Sequence, residues 1–333
     1  MFRERWGTTE YLNDWLSAVA WISSVPSPEL AAIYRQQRYY FIGRNSVLKK
    51  CYHLHSALTR RRPCYKQTFY GKIQSHRCMQ LSPTLQCTQA CLFCWRTMPG
   101  DQGFPVVREK EVPDDPRVIL DNAVIAQRRI LNGYNPVCHP KVDSKMYEEA
   151  RNPCHVAISL VGEPTLYERL SSLIGECKSR NWTSYLVSNG TDPEVLHEIE
   201  EPTQLYVSFT APDKTTYNKL CRPALPKAWE RLQESLGMLS TFSCPTVVRM
   251  TLVAGCNMHD ISGYANILNA ASPRFIECKA YMHIGGSMQR LSRINMPQMR
   301  DIRQFANILA DQTGYVVKNE DSASRVVLLA RSG

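Results

Sequence analysis

The chain lacks any apolar run long enough to cross a bilayer. Its most apolar early stretch, Trp15 to Val25, is short, contains serine, and follows Glu10 and Asp14 rather than a basic segment. A membrane span needs about 20 apolar residues, and a secretory leader needs a positive flank. The stretch therefore reads as a core-facing helix. The sequence also lacks internal repeats and low-complexity tracts, which excludes solenoids and repeat arrays. Acidic residues are in deficit: 30 Asp and Glu stand against 40 Lys and Arg, a net charge of +10. That surplus fits a polyanionic partner without requiring one. An even cysteine count is missing too. Thirteen cysteines without a leader argue against a disulfide scaffold. The expectation is a soluble, reduced, cytoplasmic monomer with no membrane contact.

What is present is a patterned α/β chain. Apolar residues make up 44% of 333, enough to bury a sizeable core at the length of one barrel. Residues 1–78 read as an irregular, basic, aromatic extension, with Lys49-Lys50, Arg60-Arg61-Arg62 and the run Tyr39, Tyr40, Phe41. From Met79 short apolar strands alternate with amphipathic helices, the signal of a parallel sheet. Strands are expected at 79–86, 155–160, 183–188, 204–209, 247–253 and 275–282. Helices are expected at 117–131, 166–180, 193–200, 227–239 and 261–271, with Pro193 and Pro226 at helix starts. Six such units with right-handed crossovers predict a partial (β/α)6 TIM-like barrel over 79–296. Residues 297–333 should close it with a helix and a strand at 325–329. The charged segment 98–116 reads as a mobile loop.

Just after the first expected barrel strand stands Cys87-Thr-Gln-Ala-Cys91-Leu-Phe-Cys94-Trp95. Barrel enzymes place their chemistry at that end of a strand. Three closely spaced thiolates suit an iron–sulfur cluster, and three ligands on four irons leave one iron open. Zinc remains the alternative, but it normally takes a fourth Cys or His, and His76 is poorly placed to supply one. The x3-then-x2 spacing with an aromatic before the last Cys resembles the radical S-adenosylmethionine superfamily. Ser159-Leu160-Val161-Gly162-Glu163-Pro164 resembles its Gly-Gly-Glu element, with Val161 in place of the first Gly. That likeness implies backbone carbonyls and Glu163 receiving the methionine ammonium, a group that only donates. Read alone, the segment is equally an ordinary turn with a solvated Glu163. Ser188-Asn189-Gly190-Thr191 resembles the element that contacts the ribose and carboxylate, and by itself is a common turn. Ser208 would sit on the same rim.

Cys51, Cys64 and Cys78 precede the first barrel strand at separations of 13 and 14. On spacing alone they read as buried thiols. Their context says more. Cys64-Tyr65-Lys66-Gln67-Thr68-Phe69-Tyr70-Gly71, Ala211-Pro212-Asp213-Lys214, Cys221-Arg222-Pro223, Arg249-Met250-Thr251-Leu252-Val253 and Glu277-Cys278-Lys279-Ala280-Tyr281-Met282-His283 closely resemble archaeal tRNA 4-demethylwyosine synthases. The likeness runs from about Cys51 to Asn295.

That resemblance implies a radical enzyme acting on N1-methylguanosine at position 37 of phenylalanine tRNA, with pyruvate supplying two carbons to form the tricyclic 4-demethylwyosine. It implies S-adenosylmethionine and two 4Fe–4S clusters, one on Cys87, Cys91 and Cys94 and an auxiliary one on Cys51, Cys64 and Cys78. Lys66 is expected to form a Schiff base with pyruvate; a phosphate contact is its alternative. Asp213 and Glu277 are expected to shape the base or cofactor pocket. Arg60, Arg61 and Arg62 should grip RNA phosphates, unless they are merely a solvated loop. Eukaryotic relatives carry a flavodoxin-like domain for which this chain has no room, so an external electron donor is expected. The competing readings are another radical S-adenosylmethionine enzyme acting on a peptide or small molecule, and a non-catalytic RNA-binding protein with a structural metal. The seven other cysteines read as core or incidental.

Overall fold

The computed structural model describes residues 28–71, 73–98 and 112–331. The helix expected at 15–25 and most of the loop expected at 98–116 lie outside them. In chain order the elements are α1 (Pro28–Gln36), β1 (Tyr39–Phe41), β2 (Val47–Lys49), α2 (Tyr52–Arg60), α3 (Tyr65–Tyr70), β3 (Cys78–Ser82), α4 (Pro116–Leu131), α5 (Ser144–Ala150), β4 (His155–Ile158), α6 (Leu170–Ser179), β5 (Thr183–Ser188), α7 (Pro193–Glu198), β6 (Gln204–Ser208), α8 (Lys214–Cys221), α9 (Ala228–Gly237), β7 (Thr246–Leu252), α10 (Ile261–Ala271), β8 (Phe275–Ala280), α11 (Met299–Thr313), β9 (Tyr315–Asp321) and β10 (Val326–Arg331).

All ten strands form one sheet in the order β1-β2-β3-β4-β5-β6-β7-β8-β10-β9. Strands β3 to β8 are parallel neighbours. These are the six expected strands, with helices in every crossover. Antiparallel strands flank them on both sides. Side chains alternate across each strand. Met79, Leu81, Val156, Ile158, Leu186, Leu205, Val207, Val248, Met250 and Ile276 join the helices in the main core. The opposite face carries Tyr185, Tyr206 and Val247, and by the same alternation Arg249. This second face lines the barrel interior and holds the polar residues discussed below.

Helix starts follow local chemistry. Asp115 caps α4 and Asp192 caps α7, each ahead of a proline in the first turn, where the missing N–H costs nothing. The extension is not irregular as expected. Residues 28–71 form α1, β1, β2, α2 and α3. Helices of nine and six residues are too short to show a period, and their stability comes from packing on the barrel. Helix α8 is a further element beyond those expected: Thr215 and Thr216 weaken helix propensity, but Asp213 caps the start. The edge strand β9 was missed because it exposes most of its residues and shows no alternation. Its neighbour β10 is buried along five of six residues.

Candidate active site

The four motifs that follow parallel strands converge on one rim. Cys87 follows β3, Gly162 follows β4, Asn189 follows β5 and Ser208 ends β6. The loop with Cys87, Cys91 and Cys94 is held from several directions. Trp95 Nε1 donates to the Leu160 carbonyl at 3.1 Å, and the Glu163 amide donates to the Gln86 carbonyl at 2.6 Å. Arg290 bonds the carbonyls of Leu92 and Cys94. Arg96 lies buried among the three cysteines, and its Nη2 donates to the Gln89 carbonyl at 2.6 Å. Its Nε has no hydrogen-bond partner. Burial opposes the charge of Arg96, but Cys87, Cys94, Tyr34 and Cys91 outweigh it and hold its pKa above the usual value. Burial pushes the Cys87 thiol up to about 12, and Arg96 pulls it back in part.

A buried guanidinium with an orphan N–H beside three thiols suits an anionic occupant. Among the described residues, no three His, Cys, Asp or Glu are grouped to hold one metal ion. One zinc at about 2.3 Å from each sulfur would need tighter grouping. A thiolate-ligated four-iron cluster is a larger body, and its donor set is present.

Gly162 and Gly190 are glycines by necessity. Both have left-handed backbones, with φ of 72° and 73°. A Cβ on Gly162 would stand 2.4 Å from the Thr84 carbonyl oxygen and 2.8 Å from that of Gln86; one on Gly190 would strike Leu232 at 2.7 Å. Val161 bonds Ser82 through both its amide and its carbonyl. Gly162→Ala should cost about 1–2 kcal/mol for the left-handed residue alone, with the carbonyl clash added. The expected result is a lowered melting temperature and at least tenfold weaker S-adenosylmethionine binding by equilibrium dialysis. Wild-type values in both would show that the turn adapts.

Glu163 is buried, not the solvated carboxylate of an ordinary turn. Its carboxylate takes bonds from Ser188 Oγ at 2.7 Å, the Asn189 amide at 2.7 Å, and the Thr165 amide and hydroxyl at 3.2 and 3.0 Å. Three of these donors fall on Oε1 and one on Oε2, so Oε2 keeps a site for a further donor. Burial raises its pKa to about 7 despite these bonds. Glu163 thus clamps the end of β4 to the end of β5. Asn189 Nδ2 in turn reaches Thr88 at 2.8 Å and Cys87 Sγ at 3.8 Å.

The upstream cysteines stand at the opposite end of the strands. Cys51 and Cys64 occupy the N-cap positions of α2 and α3, and Cys78 opens β3. The Cys64 amide donates to Ser75 Oγ at 2.7 Å, which ties that loop to the turn before Cys78. Burial raises the Cys64 thiol to about 12 with help from Cys51, and raises Cys78 with help from Cys51 and Cys64.

Beside the upstream trio lies a charged interior. Lys66 Nζ sits 4.1 Å from the Tyr206 ring centre, and Arg249 lies 4.7 Å from the same ring. Burial first, then Arg249, lowers the Lys66 pKa to about 8. Glu277 is fully buried. It accepts from Arg249 Nε at 2.8 Å, Tyr70 at 2.8 Å and Tyr65 at 3.4 Å. Burial opposes its ionisation, but Arg249 and Lys66 hold its pKa below the usual range. Lys279 joins this group: it lies 4.9 Å from the Tyr65 ring, and burial lowers its pKa to about 8. Asp213 stands apart as the cap of α8, accepting from the Thr216 amide and hydroxyl at 2.9 and 2.7 Å.

The basic residues divide. Arg62 pairs with Asp321 of β9 through two bonds of 2.8 and 3.0 Å, which makes it a strut between the two flanks. Arg60 and Arg61 are exposed. Lys49 stacks 4.1 Å from the Tyr39 ring, and Lys50 bonds the Tyr134 hydroxyl at 2.8 Å.

Over 312 residues the chain is 47% identical to the S-adenosyl-L-methionine-dependent tRNA 4-demethylwyosine synthase of Pyrococcus horikoshii, covering 91% of this chain and 89% of that one. The chain belongs to the tRNA 4-demethylwyosine synthase family. It is 38% identical to the enzyme of that name from Methanocaldococcus jannaschii, over 90% of this chain and 95% of the other. A family model for wyosine base formation matches residues 270–331. A solved structure of TYW1 with a lysine-pyruvate adduct bound superposes at a TM-score of 0.82 and 34% identity, over 92% of this chain and 96% of that chain. The fold is thus that of the S-adenosyl-L-methionine-dependent tRNA 4-demethylwyosine synthase family. Arg96, Arg249, Lys279 and Arg290 belong to the site but were not assigned to it from sequence. Arg249 and Lys279 lay inside motifs already singled out, and their spacing along strands was the available signal.

Proposed function

We propose that this chain is a radical S-adenosylmethionine enzyme that converts N1-methylguanosine-37 of phenylalanine tRNA and pyruvate to 4-demethylwyosine. The observation that carries the reading is the buried cluster of charges around Lys66, on the inner face of a family-typical barrel and beside the upstream cysteines. A 4Fe–4S cluster on Cys87, Cys91 and Cys94 would supply the electron that cleaves S-adenosylmethionine. A second cluster on Cys51, Cys64 and Cys78 is part of the proposal.

The chain's own residues do the rest. Val161 and Gly162 shape the cradle for the methionine end through backbone groups, and Asn189, Gly190 and Ser208 face the cofactor along the rim. Glu163 and Ser188 hold that rim in register. Lys66 is the nucleophile for pyruvate. Burial and Arg249 favour its neutral amine, the form that attacks a carbonyl. Arg249 and Lys279 outnumber Glu277 even with Lys66 neutral, so the charge cluster has positive charge to spare for a carboxylate or for thiolate-bound iron. Glu277 fixes Arg249 rather than touching the base, and Asp213 supports the rim by starting α8. Arg60 and Arg61, exposed beside the upstream cysteines, are available for RNA phosphates. The target base must leave its stack to reach the barrel interior.

None of the described helices is long and apolar enough to cross a membrane. A cytoplasmic location, a monomeric state and an external electron donor complete the proposal. The family relationship disfavours a peptide or small-molecule substrate.

Lys66→Met tests the central role. The expected result is 5′-deoxyadenosine formation within about threefold of wild type and ring formation reduced at least 10³-fold. That ratio corresponds to about 4 kcal/mol of lost transition-state stabilisation. Borohydride should trap pyruvate on the wild type and not on the variant. Normal ring formation by Lys66→Met would end the Schiff-base assignment.

A further inference from the structure

From sequence Cys221 is an incidental core residue, yet the fold sets it against a cluster-loop cysteine. Residues 88–92 and 220–224 run antiparallel. Gln89 bridges Pro223. The Leu92 amide donates to the Leu220 carbonyl at 2.9 Å, the Ala90 amide is shared between the Cys221 and Arg222 carbonyls at 3.1 and 3.2 Å, and the Ala224 amide donates to the Thr88 carbonyl at 2.9 Å. The bonds on either side set Cys91 beside Cys221, the last residue of α8.

The surroundings of this pair are dry and polar. Cys91, Cys221, Gln89 and Thr210 are all buried. Thr210 Oγ1 lies 3.1 Å from Cys221 Sγ. Cys91 Sγ donates to Gln89 Oε1 at 3.1 Å, and Gln89 Nε2 donates to the Tyr217 hydroxyl at 2.7 Å. The contact with Cys221 is also the largest influence raising the Cys91 thiol.

Ligation of iron changes the direction of these bonds. A Cys91 thiolate has no proton to give and only accepts. The Gln89 amide then turns its N–H2 toward the sulfur and accepts from Tyr217, whose hydroxyl serves either way. Cys221, backed by Thr210, has an S–H to offer. We propose that Cys221 is a positioning residue that donates a hydrogen bond to the Cys91 sulfur, and that this bond raises the reduction potential of the cluster. The inference rests on the cluster assignment made under the proposed function. Its physical basis is that a donor to a ligand sulfur favours the more negative, reduced cluster, which is one of the ways proteins set such potentials. A cluster that must be reduced before it cleaves its cofactor gains from each donor.

Two measurements test this. The first is a potentiometric titration followed by electron paramagnetic resonance, on reconstituted full-length wild type, Cys221→Ser and Cys221→Ala. Cys221→Ala should lower the equilibrium constant for one-electron reduction about tenfold, which is about 59 mV. Cys221→Ser keeps a donor and should stay within about threefold of wild type. An unchanged potential in Cys221→Ala, or equal shifts in both variants, would overturn the proposal. So would iron loss in Cys221→Ala, which would make Cys221 a ligand or a folding requirement. The second uses metal-free protein and diamide, which takes two electrons and two protons as two thiols become a disulfide. A Cys91–Cys221 linked peptide is expected by mass spectrometry, and its absence would refute the contact. A wild type that binds no iron would instead defeat the cluster assignment, while the cross-link would still report on the contact.

Discussion

Replacing Cys51, Cys64 and Cys78 together by Ala should halve the iron of the anaerobically reconstituted protein, from about eight atoms to about four, if each trio holds a four-iron cluster. Ring formation should vanish. Formation of 5′-deoxyadenosine should persist, uncoupled from product, because Cys87, Cys91 and Cys94 lie at the other end of the strands and keep Arg96, Arg290 and Asn189 around them. The variant should still fold. Cys51 and Cys64 cap short helices without side-chain bonds to them, so alanine there removes no cap interaction. Iron and sulfide analysis with electron paramagnetic resonance reads the result. About four irons in both proteins would remove the auxiliary cluster and leave the radical assignment in place.

Breaking the interior ion pair should have the largest effect on stability. Glu277 is fully buried and bonded to Arg249, Tyr70 and Tyr65. Glu277→Ala strands the Arg249 guanidinium beside Lys66 and Lys279 with no anion, and loss of one partner of a buried pair costs about 3–5 kcal/mol. Glu277→Gln keeps the shape and two acceptor sites but not the charge, so it should fall between. Thermal and denaturant unfolding of the two variants beside wild type measures this. A loss below about 1 kcal/mol in Glu277→Ala would mean that water reaches Arg249 and that the interior is wet. The pair also sets the neighbours' protonation. Without Glu277, Lys66 loses a partner that favours its charged form, so its pKa should fall further, and borohydride trapping of pyruvate at neutral pH should increase even as the fold weakens.

The six barrel strands were legible because buried parallel strands form dense apolar runs between turn signals. Thr183–Ser188 and Ile261–Ala271 appear at the expected bounds. The Cys87 loop, Gly162 and Asn189 were legible because their chemistry is local: three thiols within eight residues, or a turn that a Cβ would block. The upstream extension was not legible as structure. Its three short helices have no period of their own, and they are stable only against the barrel. The surroundings of Glu163 show the same limit. Only the fold brings Ser188 and Asn189 from the end of the next strand to its carboxylate.

By itself, then, the sequence determined the alternating architecture, the cluster-type cysteine spacing and the family, because each rests on neighbours in the chain. Only the tertiary structure decided how distant residues combine. It put Lys66 against Tyr206 and Arg249, spent Arg62 on Asp321, and set Cys221 beside Cys91. Those outcomes depend on burial and on opposed charges meeting across the sheet, and neither is a property of any short stretch of chain.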